Sequence, residues 1–449
     1  MVRYVTTVLV LVALAVPVFL GLVALGSGLI LNMAYDKVAI RLKDKMALAN
    51  AHQGRRILAF GGSSTFFDFR GADVEAVTGL PAINIGTHSG NGLRFVLWQA
   101  ETAARPGDIV ILPLEDGYYR EPGITYYGAN VSLAMGANFF WELSPEDKLT
   151  YLRNVHIRRL LKVAAARLGL ADYELETDWT FPINDNGDMD APVPPAIQVS
   201  GLIADVSGQK SKKFRFEPEA IGNIRDFAAR MADKDVTVIF SLPGIMENAA
   251  PGDDVVEALE DQFAGTGAQF LDLTDRGAIP AEMMFDSLYH AATPGAEVYT
   301  AQVIEALCAE ADRLDLNCAP SKTRDARRLL RNSASRNYLF EASGELTSLQ
   351  PSGSGAPVAL EPGAPVSFMV AALRGCRNRI DISASGTGEL AVRVAGKEKD
   401  GLVLGEGADK VSLPLPETPG LIDIALEAAP DSNVALTGIK RTSRCRRKK

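Results

Sequence analysis

Strands and helices alternate between residues 57 and 117, and this alternation constrains the fold of the 449-residue chain most strongly. Three short apolar runs read as buried strands, with helix-like segments near 71–78 and 93–104 between them. The runs are Ile57–Phe60, Ala82–Ile85 and Ile109–Leu114. Strands that alternate with helices form parallel sheets through right-handed crossovers. The sequence therefore predicts an α/β domain with a parallel sheet.

Residues suited to chemistry follow each of these predicted strands. Gly61-Gly62-Ser63-Ser64 follows the first strand, and glycine permits the tight turn that would lift a serine hydroxyl out of a strand end. Gly86 follows the second strand and Glu115 the third. Ligands bind at the carboxyl ends of strands in open parallel sheets. We therefore expect Ser63, Gly86 and Glu115 to share one crevice.

A histidine and an aspartate lie close together much later in the chain, in Phe285-Asp286-Ser287-Leu288-Tyr289-His290. A serine hydroxyl is a poor nucleophile until a base, usually a histidine held by a carboxylate, takes its proton. The chain has only four histidines, so this pairing is informative. It predicts His290 as the base for Ser63 and Asp286 as the residue that orients the imidazole ring.

These segments together resemble the SGNH (GDSL-like) hydrolase superfamily over roughly residues 55–313. Phe60-Gly61-Gly62-Ser63 resembles the first block of that family, with Gly62 where Asp is commonest, and this implies Ser63 as the nucleophile. Ile85-Gly86 resembles the second block and implies that the N–H groups of Ser63 and Gly86 hold the oxyanion. Asp286 precedes His290 by four residues, one more than is usual in the family.

The third block of the family contains an Asn, which the corresponding stretch Asp108–Gly117 lacks. The resemblance nevertheless implies a flavodoxin-like, three-layer SGNH-type domain over 57–320, with no metal and no organic cofactor. Four further residues near these blocks are candidate substrate-binding residues: Ser64, His88, Asn91 and Glu115.

Membrane-anchored relatives that acylate envelope polysaccharides show similar Asp-to-His endings. The resemblance therefore implies a serine-dependent acyl esterase or O-acyltransferase that acts on an envelope or extracellular polysaccharide. Its implied partners are an acylated or acyl-accepting polysaccharide and a membrane-bound O-acyltransferase. The alternative is a non-catalytic glycan-binding or assembly protein on a degenerate SGNH scaffold. The net charge of −9 argues against a nucleic-acid partner.

No charged side chain occurs between Tyr4 and Tyr35, and this run exceeds the about 20 apolar residues that span a bilayer as a helix. We predict a transmembrane anchor over 1–35, with a cleaved signal peptide or a buried soluble helix as alternatives. A polar helical stalk is expected at 36–56. Basic residues after the anchor favour a cytoplasmic body, whereas the short N-terminal tail permits export of a large domain. We expect a single-pass inner-membrane protein with a periplasmic body.

The four cysteines show no Cys-x-x-Cys spacing of a metal site. The simplest of the three pairings joins Cys308 to Cys318 and Cys376 to Cys445, as expected in an oxidising compartment. Four unpaired structural thiols are the alternative.

Composition changes divide the remainder of the chain. An aromatic-rich insertion near 118–215 interrupts the α/β alternation, and its rings suit either a core or sugar binding. Within it, Asn184–Asp190 reads as a solvated turn. Residues 321–337 read as a linker, and period-two alternation predicts a β-sandwich accessory domain over 338–445. The chain ends in a basic tail at 446–449.

Overall fold

The structure is a computed structural model, and it describes most of the chain. The described residues are 2–28, 34–170, 182–190, 214–334, 337–343, 345–351, 358–363, 366–372, 376–394, 397–415 and 420–445. The basic tail at 446–449 and residues 191–213 of the insertion lie outside them.

A five-stranded parallel sheet forms the centre of the N-terminal part of the molecule. Its strands pair in the order β2-β1-β3-β4-β6, which is the flavodoxin-like order of a doubly wound sheet. They are β1 (Ile57–Ala59), β2 (Ala82–Asn84), β3 (Ile109–Pro113), β4 (Thr237–Ser241) and β6 (Gln269–Leu271). The short strands β5 (Ile245–Met246) and β7 (Ala278–Ile279) pair with each other outside this sheet. The α/β fold with a parallel sheet is therefore confirmed, and the three predicted strands match β1, β2 and β3.

Helices cover both faces of this sheet. On one face Ile57, Ala59 and Ile111 pack against α4 (Gly71–Thr78) and α13 (Thr293–Ala309). On the other face the alternate residues, such as Leu58 and Val110, pack with the remaining layer of helices. That layer includes α2 (Ala34–Ala51), α5 (Leu93–Ala103), α11 (Pro218–Asp233) and α12 (Asp253–Phe263). Because successive strand residues point to opposite faces, a run that is apolar throughout specifies this three-layer arrangement.

The segment predicted as a polar stalk, 36–56, instead forms α2, which is packed on the sheet. The buried positions of α2 recur every three or four residues and include Ala39, Leu42 and Ala49. Two charged residues lie on its buried surface: Asp36 pairs with Arg159, and Lys45 is fully buried. The stalk prediction is therefore corrected: α2 belongs to the α/β domain.

The N-terminal helix α1 (Val2–Gly26) ends against the insertion, where Arg159 donates to the Gly26 carbonyl at 3.1 Å. Among the residues that the structure describes, no helix has the length and apolarity needed to cross a membrane. The predicted transmembrane anchor at 1–35 is therefore not supported.

Residues 118–170 of the insertion are mostly helical. Its helices are α6 (Asp116–Arg120), α7 (Tyr126–Met135), α8 (Asn138–Glu142), α9 (Pro145–Asn154) and α10 (Ile157–Arg167). Among the described aromatic residues of the insertion, Tyr118, Tyr119, Phe139, Phe140 and Tyr151 are buried, whereas Tyr126 and Trp141 are exposed. The Asn184–Asp190 segment is not a solvated turn, because Asp188 is buried and its carboxylate accepts from the N–H groups of Gly71 and Ala72 at the start of α4.

A disulfide joins Cys308 at the end of α13 to Cys318. The helices α14 (Ala311–Leu314) and α15 (Pro320–Ala334) follow, so the predicted linker at 321–337 is mostly helical. Strand register places Cys376 opposite Cys445, while the disulfide between them stays a prediction.

The C-terminal part is a separate antiparallel sheet, in the strand order β11-β10-β17-β14-β16-β13 with β12 on β17 and β15 on β14. Its strands are β10 (Asn337–Ser343), β11 (Glu345–Pro351), β12 (Val358–Ala359), β13 (Val366–Ala372), β14 (Cys376–Val394), β15 (Lys397–Pro414), β16 (Gly420–Ala428) and β17 (Asn433–Cys445). β14 pairs first with β17 and then with β16. The change of partner follows Gly386 and Gly388, whose φ angles of 123° and 115° suit glycine.

Candidate active site

A cavity of about 420 Å³ lies at the carboxyl end of the parallel sheet. It is lined by the predicted nucleophile, base and orienting carboxylate together with aromatic and basic side chains. The lining residues are Lys37, Val38, Arg41, Ser63, Phe66, Phe67, Thr87, His88, Phe285, Asp286 and His290. The structure therefore brings Ser63, His290, Asp286 and His88 to one cavity, although 227 positions separate Ser63 from His290.

Ser63 is the first residue of the short helix α3 (Ser63–Asp68), directly after the turn that leaves β1. The first N–H groups of a helix have no partner within it. The Ser64 N–H donates to Glu115 Oε1 at 3.1 Å, whereas the Ser63 N–H has no hydrogen-bond partner in the described part of the chain. The Ser63 N–H is therefore available to an oxyanion.

Glu115 explains why position 62 is glycine. A Cβ built at Gly62 would lie 2.5 Å from Glu115 Oε1 and 2.9 Å from Ser89. The buried carboxylate thus fills the space that a side chain at position 62 would need. Burial raises the pKa of Glu115, although the Ser64 N–H and the charge of His290 oppose the shift. Glu115 acts here as a support beneath the Gly62–Ser64 turn.

His290 and Asp286 face each other across a tight hairpin formed by β8 (Met284–Ser287) and β9 (His290–Ala291). Asp286 Oδ1 lies 2.5 Å from His290 Nδ1. The pairing register shifts between Met284 and Ser287, so the two side chains meet although four positions separate them. A carboxylate only accepts hydrogen bonds. Nδ1 therefore carries the proton, and Nε2 is left as the basic nitrogen.

Two buried carboxylates anchor this hairpin. Asp68, at the end of α3, accepts from the Ala291 N–H at 2.7 Å. Asp116, after β3, accepts from the Tyr289 hydroxyl at 3.0 Å. Burial raises the pKa of Asp68 well above its usual range. Tyr289 and Ala291, on either side of His290, are thus hydrogen-bonded to the segment after β3 that contains Glu115 and to α3, which begins at Ser63.

The His290 ring stacks on Phe67, with centroids 4.4 Å apart and an interplanar angle of 19°. Phe67 lies on α3, four residues after Ser63, so the ring contact links the base to the helix of the nucleophile. Within the described ranges, no hydrogen bond joins Ser63 to His290. Catalytic hydrogen bonds often form only with substrate bound.

Gly86 is packed beneath α3, and its N–H is already engaged. A Cβ at Gly86 would lie 2.5 Å from the Phe66 backbone nitrogen, so only glycine fits this approach. The Gly86 N–H donates to Asn84 Oδ1 at 2.9 Å, and its carbonyl accepts from the buried Lys45 ammonium at 2.8 Å. The structure therefore does not present the Gly86 N–H as a free oxyanion donor.

His88 offers a different donor to the cavity. Its Nδ1 accepts from the Gly90 N–H at 2.9 Å, and its ring stacks on Tyr127 at 4.3 Å. Burial, followed by the charge of His290, lowers the pKa of His88. The neutral ring must then carry its proton on Nε2. His88 is thus fixed as a neutral Nε2–H donor.

Of the remaining candidates, Ser64 is buried behind the turn, and Asn91 is buried with its Nδ2 donating to Thr87 Oγ1 at 2.8 Å. Neither lines the cavity. Sequence reasoning missed Lys37, Arg41 and Phe67, which do line it. The four-residue spacing of Lys37 and Arg41 indicates that they lie on one face of a helix. Nothing in the sequence indicates that α2 packs against the sheet.

No protein-family model and no curated protein matches the sequence. Several solved structures show weak similarity. A family two carbohydrate esterase from Clostridium thermocellum is 15% identical at a TM-score of 0.18, over 25% of this chain and 34% of that chain. The CBM36-1 domain of a multidomain xylanase from the hindgut metagenome of Trinervitermes trinervoides is 12% identical at a TM-score of 0.18, over 24% of this chain and 91% of that domain.

A salicylyl-acyltransferase from a tetracycline biosynthetic pathway is 14% identical at a TM-score of 0.14, over 19% of this chain and 27% of its own. Scores this low carry no argument about the activity of the present protein.

Proposed function

We propose that the protein is a serine-dependent acyl esterase or O-acyltransferase that acts on an acylated polysaccharide. One observation carries the proposal: Ser63 and the Asp286–His290 pair line the same cavity, with Asp286 Oδ1 2.5 Å from His290 Nδ1. A nucleophile, a base and a group that orients the base are the parts that acyl transfer through serine requires.

In the proposed reaction, Ser63 Oγ attacks the acyl carbonyl carbon while His290 Nε2 takes the hydroxyl proton. The carbonyl oxygen becomes an oxyanion, which the Ser63 N–H and the His88 Nε2–H stabilise. The ester C–O bond then breaks, and His290 returns the proton to the departing sugar hydroxyl. Water or another sugar hydroxyl attacks the acyl-serine, with His290 again taking and returning the proton.

The polysaccharide part of the proposal is supported by the aromatic wall of the cavity. Phe66, Phe67 and Phe285 line it. Aromatic faces pack well against the apolar faces of sugar rings.

The Cys308–Cys318 disulfide supports an extracytoplasmic location for the protein, because disulfides persist mainly in oxidising compartments. A reporter fused after Lys449 tests that location, and activity of a cytoplasmic reporter alone would contradict it.

Acetate release tests the function directly. The purified protein should release acetate from an acetylated polysaccharide, or move the acetyl group to an added acceptor glycan. A Ser321→Ala variant, altered at an exposed position in α15, should behave like the wild-type protein.

A second candidate function is non-catalytic glycan binding on the same scaffold. The absence of a Ser63–His290 hydrogen bond within the described residues favours it. Saturable binding of a glycan without any acetate release or transfer would support this second function and contradict the first.

Asp286→Asn should reduce kcat for ester cleavage by about 10³- to 10⁴-fold, less than loss of the nucleophile. The asparagine amide can donate to His290 Nδ1, which would place the ring proton on Nε2 and remove the base. Steady-state kinetics measure the effect, and proton NMR should show a downfield Nδ1–H signal that the variant lacks. Asp312→Asn, at an exposed position, is the control. Wild-type kcat in Asp286→Asn would show that Asp286 does not orient the base.

A further inference from the structure

We propose that a second cavity, separate from the one that holds Ser63, binds a neutral sugar unit of a glycan. The cavity has a volume of about 340 Å³ and is lined mainly by residues of α5, α8 and α11. It shares no lining residue with the cavity of Ser63 and His290. The inference therefore goes beyond the proposed function and does not depend on it.

The indole ring of Trp98 forms a fixed aromatic surface in this cavity. Trp98 lies on α5 and is partly exposed, whereas Phe95 and Phe139 beside it are buried. The Phe95 ring stacks on the indole with centroids 5.7 Å apart, and the Phe139 ring lies 5.5 Å away at an angle of 55°. The Trp98 Nε1–H donates to Glu142 Oε2 at 2.7 Å. These contacts hold the ring in place before a ligand arrives, which reduces the entropy lost on binding.

Two polar groups of the cavity have no protein partner. Asn223, on α11, lines the cavity, and its Nδ2 is buried without a hydrogen-bond partner in the described part of the chain. Buried donors are rarely left unpaired, because the lost hydrogen bond is costly. Glu142 Oε1 accepts no hydrogen bond from the described residues, since only its Oε2 is bonded to Trp98. The cavity thus offers a donor and an acceptor to the hydroxyl groups of a ligand.

The charges of the cavity disfavour an anionic ligand. Both arginines among the described lining residues are paired, Arg94 with Asp147 at 2.8 Å and Arg230 with Glu101 at 2.9 Å. Asp226 lines the same cavity and adds negative charge beside Arg230. A site repels ligands that carry the sign of its own uncompensated charge. A carboxylate or a phosphate would therefore meet no unpaired arginine here, whereas a neutral ligand is not repelled.

A gluco-configured sugar matches these two kinds of surface. Its ring hydroxyl groups are equatorial, so the edge of the ring is polar and its faces carry apolar C–H groups. The C–H face suits the indole of Trp98, and the hydroxyl groups suit Asn223 Nδ2 and Glu142 Oε1. Pockets for small ligands have volumes of roughly 300 to 1,000 Å³. A cavity of about 340 Å³ is therefore of the size that a mono- or disaccharide requires.

Fluorine NMR of the full-length protein, labelled with fluorotryptophan, tests the site. The chain has three tryptophans, and the variants Trp98→Phe and Trp141→Phe identify the signals of these two. Cellobiose, a neutral disaccharide, should shift the Trp98 signal in a saturable way at millimolar concentrations. The Trp141 signal should not shift, because Trp141 is exposed on α8 and does not line the cavity. The matching disaccharide with a glucuronate in place of one glucose should bind about 10-fold more weakly, because like charges repel.

Asn223→Ala separates ligand binding from a structural role. It should weaken cellobiose binding by about 10-fold, as expected for one lost hydrogen bond. The midpoint of urea denaturation should not fall, because Asn223 Nδ2 has no protein partner to lose. Glu219→Ala is the matched control, since Glu219 is exposed on the same helix and does not line the cavity. It should bind cellobiose as the wild-type protein does.

Three results would overturn the inference: a Trp98 signal that cellobiose does not shift, wild-type affinity in Asn223→Ala, or equal affinity for the two disaccharides. Circular dichroism of each variant establishes that it is folded. Cellobiose carries no ester, so the titration requires no turnover at Ser63. Saturable binding at Trp98 would support the sugar site even if the protein cleaves no ester, and acetate release without such binding would leave only the proposed function standing.

Discussion

Replacing Ser63 or His290 with alanine should each reduce kcat for ester cleavage by about 10⁵-fold or more, and the double variant should be little worse than either single one. The two side chains contribute to one proton transfer, so removing either removes the whole step. Ser63 begins α3 and lines the cavity with His290, whose Nδ1 is held by Asp286. Steady-state kinetics of the two single variants and the double variant measure the coupling.

Ser321→Ala and His52→Gln are the matched controls, since neither residue lines the cavity. Both should retain wild-type kcat. Additive losses, with the double variant much slower than either single one, would show that Ser63 and His290 act in separate steps.

Asp108→Asn should lower the free energy of unfolding by about 3 to 5 kcal/mol, because it leaves a buried arginine without its counter-charge. Arg56 and Asp108 precede β1 and β3, and their side chains are 0% and 1% exposed. Arg56 Nε donates to Asp108 Oδ1 at 3.2 Å, and Arg56 Nη2 donates to the Ala103 carbonyl at the end of α5 at 3.0 Å. The pair therefore joins two strands to a covering helix.

Urea denaturation, followed by circular dichroism, measures this effect. The neighbouring pair Arg55–Asp315 provides the control, because its N–O distance is 3.2 Å but the Asp315 side chain is 97% exposed. Asp315→Asn should leave the midpoint unchanged, since solvent screens exposed ion pairs. Equal denaturation midpoints for Asp108→Asn and the wild-type protein would show that the Arg56–Asp108 pair does not stabilise the amino-terminal ends of β1 and β3.

The central sheet could be predicted because its strands are apolar on both faces. The predicted run Ile57–Phe60 is nearly coextensive with β1 (Ile57–Ala59), and Ile109–Leu114 with β3. A continuous apolar run between turn-forming residues has few alternatives to a buried strand. The position of the crevice followed from the same logic, since the carboxyl ends of parallel strands meet at one edge. Of Ser63, Gly86 and Glu115, which were expected to share it, only Ser63 lines the cavity.

The role of α2 could not be predicted in the same way. Its buried positions include alanines and the fully buried Lys45, whose ammonium donates to the Gly86 carbonyl. A lysine at such a position predicts a solvent-exposed helix face, because the carbonyl that accepts its hydrogen bond lies 41 residues away in the chain. Lys37 and Arg41 were therefore assigned to a stalk rather than to the cavity wall.

Hydrogen bonds between residues that are far apart in the chain could not be predicted from the sequence either. Asp188 caps α4 from 117 positions away through the Gly71 N–H. Gly86 was expected to donate to an oxyanion, but the Asn84 side chain accepts its N–H instead. The four-residue gap between Asp286 and His290 was bridged by a hairpin with an irregular register, which spacing alone does not reveal.

Labelling with a fluorophosphonate probe tests most directly whether Ser63 is an activated nucleophile. Such probes form a covalent bond with a serine oxygen whose proton a neighbouring base removes. Intact-mass and peptide mass spectrometry of the wild-type protein should show a single adduct on Ser63, which is absent from Ser63→Ala and strongly slowed in His290→Ala. An unlabelled wild-type protein, or an adduct that persists in Ser63→Ala, would contradict the account.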